Sequence, residues 1–307
     1  MSGGAPRAVI RQGATMGLVR ILGAMVVGVV LVLLGLLATA YGVSEYRLRK
    51  VWDVQPRPLA ASGSVDMEEA SRLSTVHGCT ECHAPDLGGS VLADDPIFGR
   101  IIAPNLTAGG DGAAARYNES DWVRAIRHGI DAEGHGLVLM PSEYFYYLPD
   151  EQIAAMIAFV RAAEPSNRRL GETTLGPVGR ALYASGMAPL VAADVIDHER
   201  PPPAPPAAGA TAEYGAHLAR ACQSCHGANL AGGAGGPAPA PNLTAHPDGL
   251  GSWTEEDFRT AMRAGLRPDS SEISEAMPWK AFRAMTDDEL AALWLHLRSV
   301  PAVAATR

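Results

Sequence analysis

A chain of 307 residues with 47% hydrophobic content is too apolar to be disordered and long enough for two domains plus extra segments. Beyond residue 50 it carries 19 Lys and Arg against 32 Asp and Glu, a formal charge of −13. That balance argues against nucleic acid and for docking to a basic partner, with an ordinary solubilising surface as the other reading.

Residues 1–20 form a short tail containing Arg7, Arg11 and Arg20. The next 23 residues, 21–43, hold no charge and consist largely of Val, Leu, Ile, Gly and Ala. As a helix they reach roughly 35 Å, enough to cross a bilayer with some tilt. A secretory signal is the competing reading, since Ala38-Thr39-Ala40 has the small-x-small look of a cleavage site. The apolar run exceeds the usual signal core of about 7–15 residues, so 21–43 is read as an uncleaved anchor and 44–63 as its juxtamembrane linker. Arg47, Arg49 and Lys50 balance the three preceding arginines, so charge alone does not orient the segment.

A first unit spans 64–164. A helix over 66–78, with Asp66 as N-cap, leads into Cys79-Thr80-Glu81-Cys82-His83. Ala103-Pro104-Asn105-Leu106-Thr107 follows, then a helix over 119–129 closed by Gly129, then Leu139-Met140-Pro141. A last helix places Ile153, Met156, Ile157 and Val160 on one face. Long Gly- and Pro-rich loops separate the cysteine motif from the middle helix and are expected to wrap the edge of whatever group the motif holds. The connector 165–210 is apolar from Leu175 to Ile196, which suits packing on a domain or at the membrane surface, and then becomes Pro201-Pro202-Pro203-Ala204-Pro205-Pro206. That run reads as a polyproline II spacer of about 19 Å that limits the separation of its flanking units.

The second unit, 211–303, repeats the first. Thr211 caps the entry helix, Cys222-Gln223-Ser224-Cys225-His226 follows, and then come Ala240-Pro241-Asn242-Leu243-Thr244, a helix over 255–265 and Ala276-Met277-Pro278. The closing helix opens on the capping box Thr286–Glu289 and lines up Leu290, Leu293, Trp294 and Leu297. One domain has been duplicated in tandem.

Both cysteine motifs are C-x-x-C-H haem-attachment signatures, and together they use all four cysteines. Two thiols three positions apart can bond the two vinyl groups of one haem, and the adjacent His meets the iron. A single all-cysteine zinc site is disfavoured because the pairs lie 143 positions apart, and disulfide or thioredoxin-like chemistry leaves the His residues unexplained. The expected cofactors are therefore two covalently attached c-type haems, held by Cys79, Cys82, Cys222 and Cys225 with His83 and His226 as axial ligands. Met140 and Met277, in register and each followed by Pro, are the candidates for the sixth positions; a thioether there raises the potential and suits electron transfer. His128 is their rival in the first unit, but its counterpart is Ala264, so it is read as a solvated surface residue. Asn105, Asn242, Tyr117 and Trp253 are candidate donors to haem propionates, with loop turn chemistry as the alternative.

These motifs, with the 176–198 connector, resemble the cytochrome c subunits of periplasmic alcohol, aldehyde and gluconate dehydrogenases over roughly residues 64–303. The resemblance implies class I c-type domains and electron passage from a dehydrogenase subunit toward a quinone or terminal oxidase. Those subunits typically hold three haem domains, whereas two are visible here. The expectation is an all-α protein, two tandem class I cytochrome c domains after a transmembrane helix, lying on the periplasmic side of a bacterial inner membrane. It would relay electrons between redox protein partners with no catalytic activity of its own. A dihaem peroxidase and a haem-based gas sensor are the alternatives; both need an open iron, and both units keep a Met-Pro pair.

Overall fold

The computed structural model describes residues 9–60, 63–233 and 239–305, with backbone alone for 9–16. Arg7, the side chain of Arg11 and the start of the tail lie outside the described residues. Helix α1, Val9–Leu48, contains the one helical stretch among the described residues long and apolar enough to cross a membrane, Gly17–Leu48, and its most apolar window is wholly unburied. Apolar residues occupy every side of it, so no amphipathic stripe directs it onto a core. Leu22, Met25, Val29, Leu33 and Leu36 are accordingly all exposed.

The first domain begins with α2, Met67–Val76, where the Asp66 carboxylate accepts from the Glu68 and Glu69 amides. One turn, α3 (Cys79–Cys82), follows. Strands β1 (Ser90–Asp95) and β2 (Gly99–Ala103) then pair antiparallel. The short α4 (Ala113–Arg116) precedes α5 (Glu119–His128), which is held by an Asn118–Asp121 capping box. Helices α6 (Ser142–Phe145) and α7 (Asp150–Arg161) complete the domain. The connector supplies β3 (Thr174–Leu175), a third antiparallel strand on β2, and α8 (Pro177–Ser185). The second domain comprises α9 (Ala212–Leu218), α10 (Arg220–His226), α11 (Glu255–Ala264), α12 (Trp279–Phe282) and α13 (Asp287–Ser299).

The predicted caps are all present: Thr211 accepts from the Tyr214 amide, and the Thr286–Glu289 box closes on itself. Gly129 and Gly265 end their helices at φ 65 and 70, left-handed values that glycine takes without steric cost. The small sheet departs from the expected loops. In the first domain Ile101, Ile102 and Ala103 of β2 are buried and β3 comes from the connector. The matching interval of the second domain contains Gly232-Gly233-Ala234-Gly235-Gly236-Pro237, which offers no β-branched residue to pack, and its described part forms a single bridge, Gly233 to Ala240.

Three cores result. In the first domain α2 packs on α7 around Leu73, Trp122, Phe145, Ile153 and Met156. In the second, α9 packs on α13 around Leu218, Phe258, Leu290, Leu293 and Leu297. A Cβ on Gly215 would run into the Ala292 carbonyl, so only glycine allows this crossing. The third core joins Ile101, Ile130, Leu175, Tyr183, Leu190 and Val191 with Leu48 and Trp52. The connector's apolar half therefore packs against the foot of α1 and the sheet together.

The two domains also touch directly, where a spacer alone was expected to set their separation. Val76 of α2 belongs to the core of the second domain. Arg72 reaches Glu289 at 2.8 Å while holding Glu69 at 2.7 Å, and these partners push its pKa up. Glu289 is buried and bound twice, by the guanidinium and by the Thr286 amide.

Candidate functional site

Each cysteine pair is carried by a helical segment whose i and i+3 positions share a face, so both thiols of a pair present to the same side. All four are free of disulfides; Cys82 is exposed and the others half-buried. Burial raises the Cys79 and Cys222 thiols to about 12, so they are protonated until derivatised.

The histidines are held alike in both domains. His83 Nδ1 lies 2.8 Å from the Pro104 carbonyl, and His226 Nδ1 lies 2.7 Å from the Pro241 carbonyl. A carbonyl can only accept, so Nδ1 carries the proton and Nε2 keeps its lone pair for a metal. Burial lowers the pKa of both imidazoles and the carbonyl contacts oppose it, which favours the neutral form a metal requires.

The Ala-Pro-Asn-Leu-Thr repeats thereby acquire a purpose that sequence reasoning did not assign. Asn105 Oδ1 accepts from the Thr107 amide at 2.9 Å, and Asn242 Oδ1 accepts from the Thr244 amide at 2.8 Å. Their amide nitrogens are engaged too: Asn105 donates to the Gly109 and Ser166 carbonyls, Asn242 to the Val303 carbonyl. These contacts give the asparagines the turn role, and the turn aims the preceding proline carbonyl at the histidine.

A second device backs this turn. Leu87 and Leu230, each four residues after its histidine, are left-handed at φ 55 and 59 and about 1% exposed. Leucine there costs on the order of 1–2 kcal/mol, which burial of the side chain offsets. The folded-back chain lets the Leu106 amide donate to the Leu87 carbonyl (2.9 Å) and the Leu243 amide to the Leu230 carbonyl (2.8 Å). Both leucines are visible in the repeat, but nothing in the sequence signals a left-handed leucine.

Met140 packs on the same core as Cys79, and Met277 on the same core as Cys222. Each domain thus brings the first cysteine of its pair and its methionine to one core, and the second cysteine and the histidine follow on the same helical segment. The donor set, two thiols on one face, an imidazole with a free Nε2 and a thioether, fits a c-type haem.

His128 is not at the surface. It is 7% exposed, its Nδ1 lies 3.0 Å from His198 Nδ1, and the His198 ring meets Trp52 edge-on at 4.9 Å. One imidazole must donate and the other accept, so the two cannot both be charged; burial, then His198 and Arg127, lower His128 to about 4. The repeat does not carry this pair into the second domain, where Ala264 stands in the place of His128 and His198 belongs to the connector.

Within the first domain the Tyr144 hydroxyl lies 2.8 Å from His77 Nδ1, and between the domains the Arg220 guanidinium covers the Tyr147 ring at 3.9 Å. Burial raises the Tyr144 pKa, and Cys222 and Glu289 add to it. The segment following Met140 in the first domain therefore abuts the helix that bears the cysteines of the second.

The model of the family described as Cytochrome c matches residues 67–164 and 212–301. Among curated proteins, the cytochrome c subunit of alcohol dehydrogenase (quinone) from Gluconobacter oxydans is 28% identical over 271 residues, covering 77% of this chain and 54% of that protein. The fructose dehydrogenase cytochrome subunit of Gluconobacter japonicus is 26% identical over 280 residues, covering 81% and 55%. The cytochrome c subunit of alcohol dehydrogenase (quinone) from Gluconacetobacter polyoxogenes is 26% identical over 259 residues, covering 76% and 55%. The chain thus spans about half the length of these relatives.

Proposed function

The chain belongs to the cytochrome c family, and we propose that it is a membrane-anchored dihaem conduit passing single electrons from a dehydrogenase subunit to a downstream acceptor or oxidase. Its two matched regions are haem domains with covalently bound c-type haem, and electron transfer is their function. In this reading Cys79 and Cys82 hold one haem, with His83 and Met140 on its iron. Cys222 and Cys225 hold the other, with His226 and Met277.

The observation that carries the assignment is the twice-built histidine clamp, in which a proline carbonyl fixes the imidazole tautomer at 2.8 and 2.7 Å. A bound haem supplies a one-electron couple, and the chain's part is to close both axial positions so that no outside ligand reaches the iron. The Met140 segment facing the Cys222 helix gives electrons a protein-filled route from one domain to the other. The anchor reading of α1 rests on its exposed apolar surface, and the periplasmic side on the place where c-type haem is attached. The dehydrogenase partner is supported by the names of the relatives.

Met277→Ala tests the assignment. One haem should fall in midpoint potential and lose its sulfur-to-iron charge-transfer absorbance, while the other titrates as before. An unchanged titration would move the sixth ligand elsewhere.

A further inference from the structure

Helix α8 lies beside the apolar helix and not beyond its end. Arg47, at the foot of α1, donates to the Tyr183 carbonyl at 2.7 Å. Earlier in α8, Arg180 covers the Tyr41 ring at 4.1 Å and donates to Ser44 at 3.0 Å and Glu45 at 2.9 Å. Earlier still, Pro177 shares a cleft with Leu37 and Tyr41. The two helices therefore run in the same direction, and the first turn of α8 is the part nearest the middle of the apolar run. Leu37 lies six residues inside Val43, the last residue of that run, or about 9 Å along the axis.

The tip of the β1–β2 hairpin is bound to this first turn. The Val178 amide donates to the Ile97 carbonyl at 3.0 Å, and the Gly176 amide to the Phe98 carbonyl at 2.9 Å. Ile97 is nevertheless 58% exposed and Val178 44%. Residues 96–99 and 176–179 hold no charge. The carboxylate of the preceding Asp95, an exposed residue, accepts from the Ile97 and Phe98 amides, which occupies it at the base of the tip. The first cation of α8, Arg180, is drawn toward Ser44 and Glu45, the end of α1 where the charges begin, as a basic side chain at a lipid boundary would be.

We propose that the hairpin tip around Ile97 and the first turn of α8 around Val178 enter the bilayer beside α1, as a second apolar contact between the first haem domain and lipid. The occupant is lipid because these residues sit level with the unburied apolar surface of α1 and continue it. A depth of about 9 Å is within the range of interfacial elements that bury one apolar face. A single helix leaves the attached domain free to swing, whereas two points of insertion fix which face of the domain looks along the membrane. The inference rests on the reading of α1 as a membrane anchor.

The test uses the full haem-loaded chain in phosphatidylcholine nanodiscs, with one nitroxide at a time on Ile97→Cys, Val178→Cys, Leu31→Cys and Leu295→Cys. The native cysteines are consumed as thioethers, so only the added one takes the label. Leu31 lies in the middle of the apolar run, and Leu295 is an exposed leucine on α13. The readout is the ratio of collisional relaxation by oxygen, which concentrates in lipid, to that by a water-soluble nickel chelate. The ratio at Ile97 and Val178 should be severalfold above Leu295 and close to Leu31. If both match Leu295 while Leu31 stays high, the tip is in water and the proposal is wrong although the anchor stands. If Leu31 also matches Leu295, the anchor reading falls and takes the proposal with it. Labels at Ile97 and Val178 shielded from both agents would mean a protein contact, such as a second copy, and would equally overturn it.

Discussion

His128 and His198 share one proton across 3.0 Å in a setting that penalises charge. The folded protein binds a proton on His128 only near pH 4, whereas the unfolded chain binds it near 6.5. Between those values the unfolded state holds more protons, so stability falls as pH drops through the window and is flat above it. The loss reaches roughly 3 kcal/mol for a shift of this size. Denaturant titrations from pH 7.5 to 4 should show a shallower slope for His128→Asn than for the native chain; identical slopes would mean the imidazole is not buried as described. This pair was not legible in the sequence, because its second member comes from the connector and the repeat pattern points away from it. The candidate ligands could be read from the sequence, because chemistry fixes C-x-x-C-H spacing and duplication prints each candidate twice. What the repeat could not convey was why Pro104 and Pro241 recur, since their contribution is a backbone carbonyl.

At the scale of elements, α13 was readable from a capping box and a single apolar face together, and α7 from its apolar face alone, since its N-cap is Pro149 with no side-chain cap. The β1–β2–β3 sheet was not, because its third strand is only Thr174–Leu175 and comes from beyond the domain. The contact of α2 with α13 was equally hidden, since Arg72 reads locally as the partner of Glu69 and its second partner, Glu289, reads as a capping residue. Removing that cation leaves Glu289 buried without its guanidinium. Arg72→Ala should cost about 2 kcal/mol, less than a fully buried pair because the arginine is partly exposed. It should also loosen the approach of the domains, so electron equilibration between the two haems after rapid partial reduction should slow. Native equilibration in this variant would show that Val76 and the Arg220–Tyr147 contact suffice to hold the interface.

At the scale of the whole molecule, the charge is divided between ends. The chain beyond residue 50 is acidic by 13 charges, while the foot of α1 gathers Arg47, Arg49 and Lys50. An acidic body speeds encounter with a basic redox partner through long-range attraction, which salt screens over about 10 Å at 0.1 M. Turnover with a basic acceptor should therefore decline steadily as ionic strength rises, and a flat profile would reduce the acidity to solubility. The direct contact of the domains also changes what the proline run does: it closes a loop between units already packed on each other, and the separation of the haems follows from the Arg72–Glu289 interface.

The central claim is that both irons are closed, one by His83 and Met140 and the other by His226 and Met277. The visible spectrum of the reduced, purified protein with and without carbon monoxide tests it most directly. Two closed irons predict superimposable spectra. A carbon monoxide complex at one haem would contradict that claim, because it would leave one methionine off the iron and give the molecule an open site where ligand chemistry could occur.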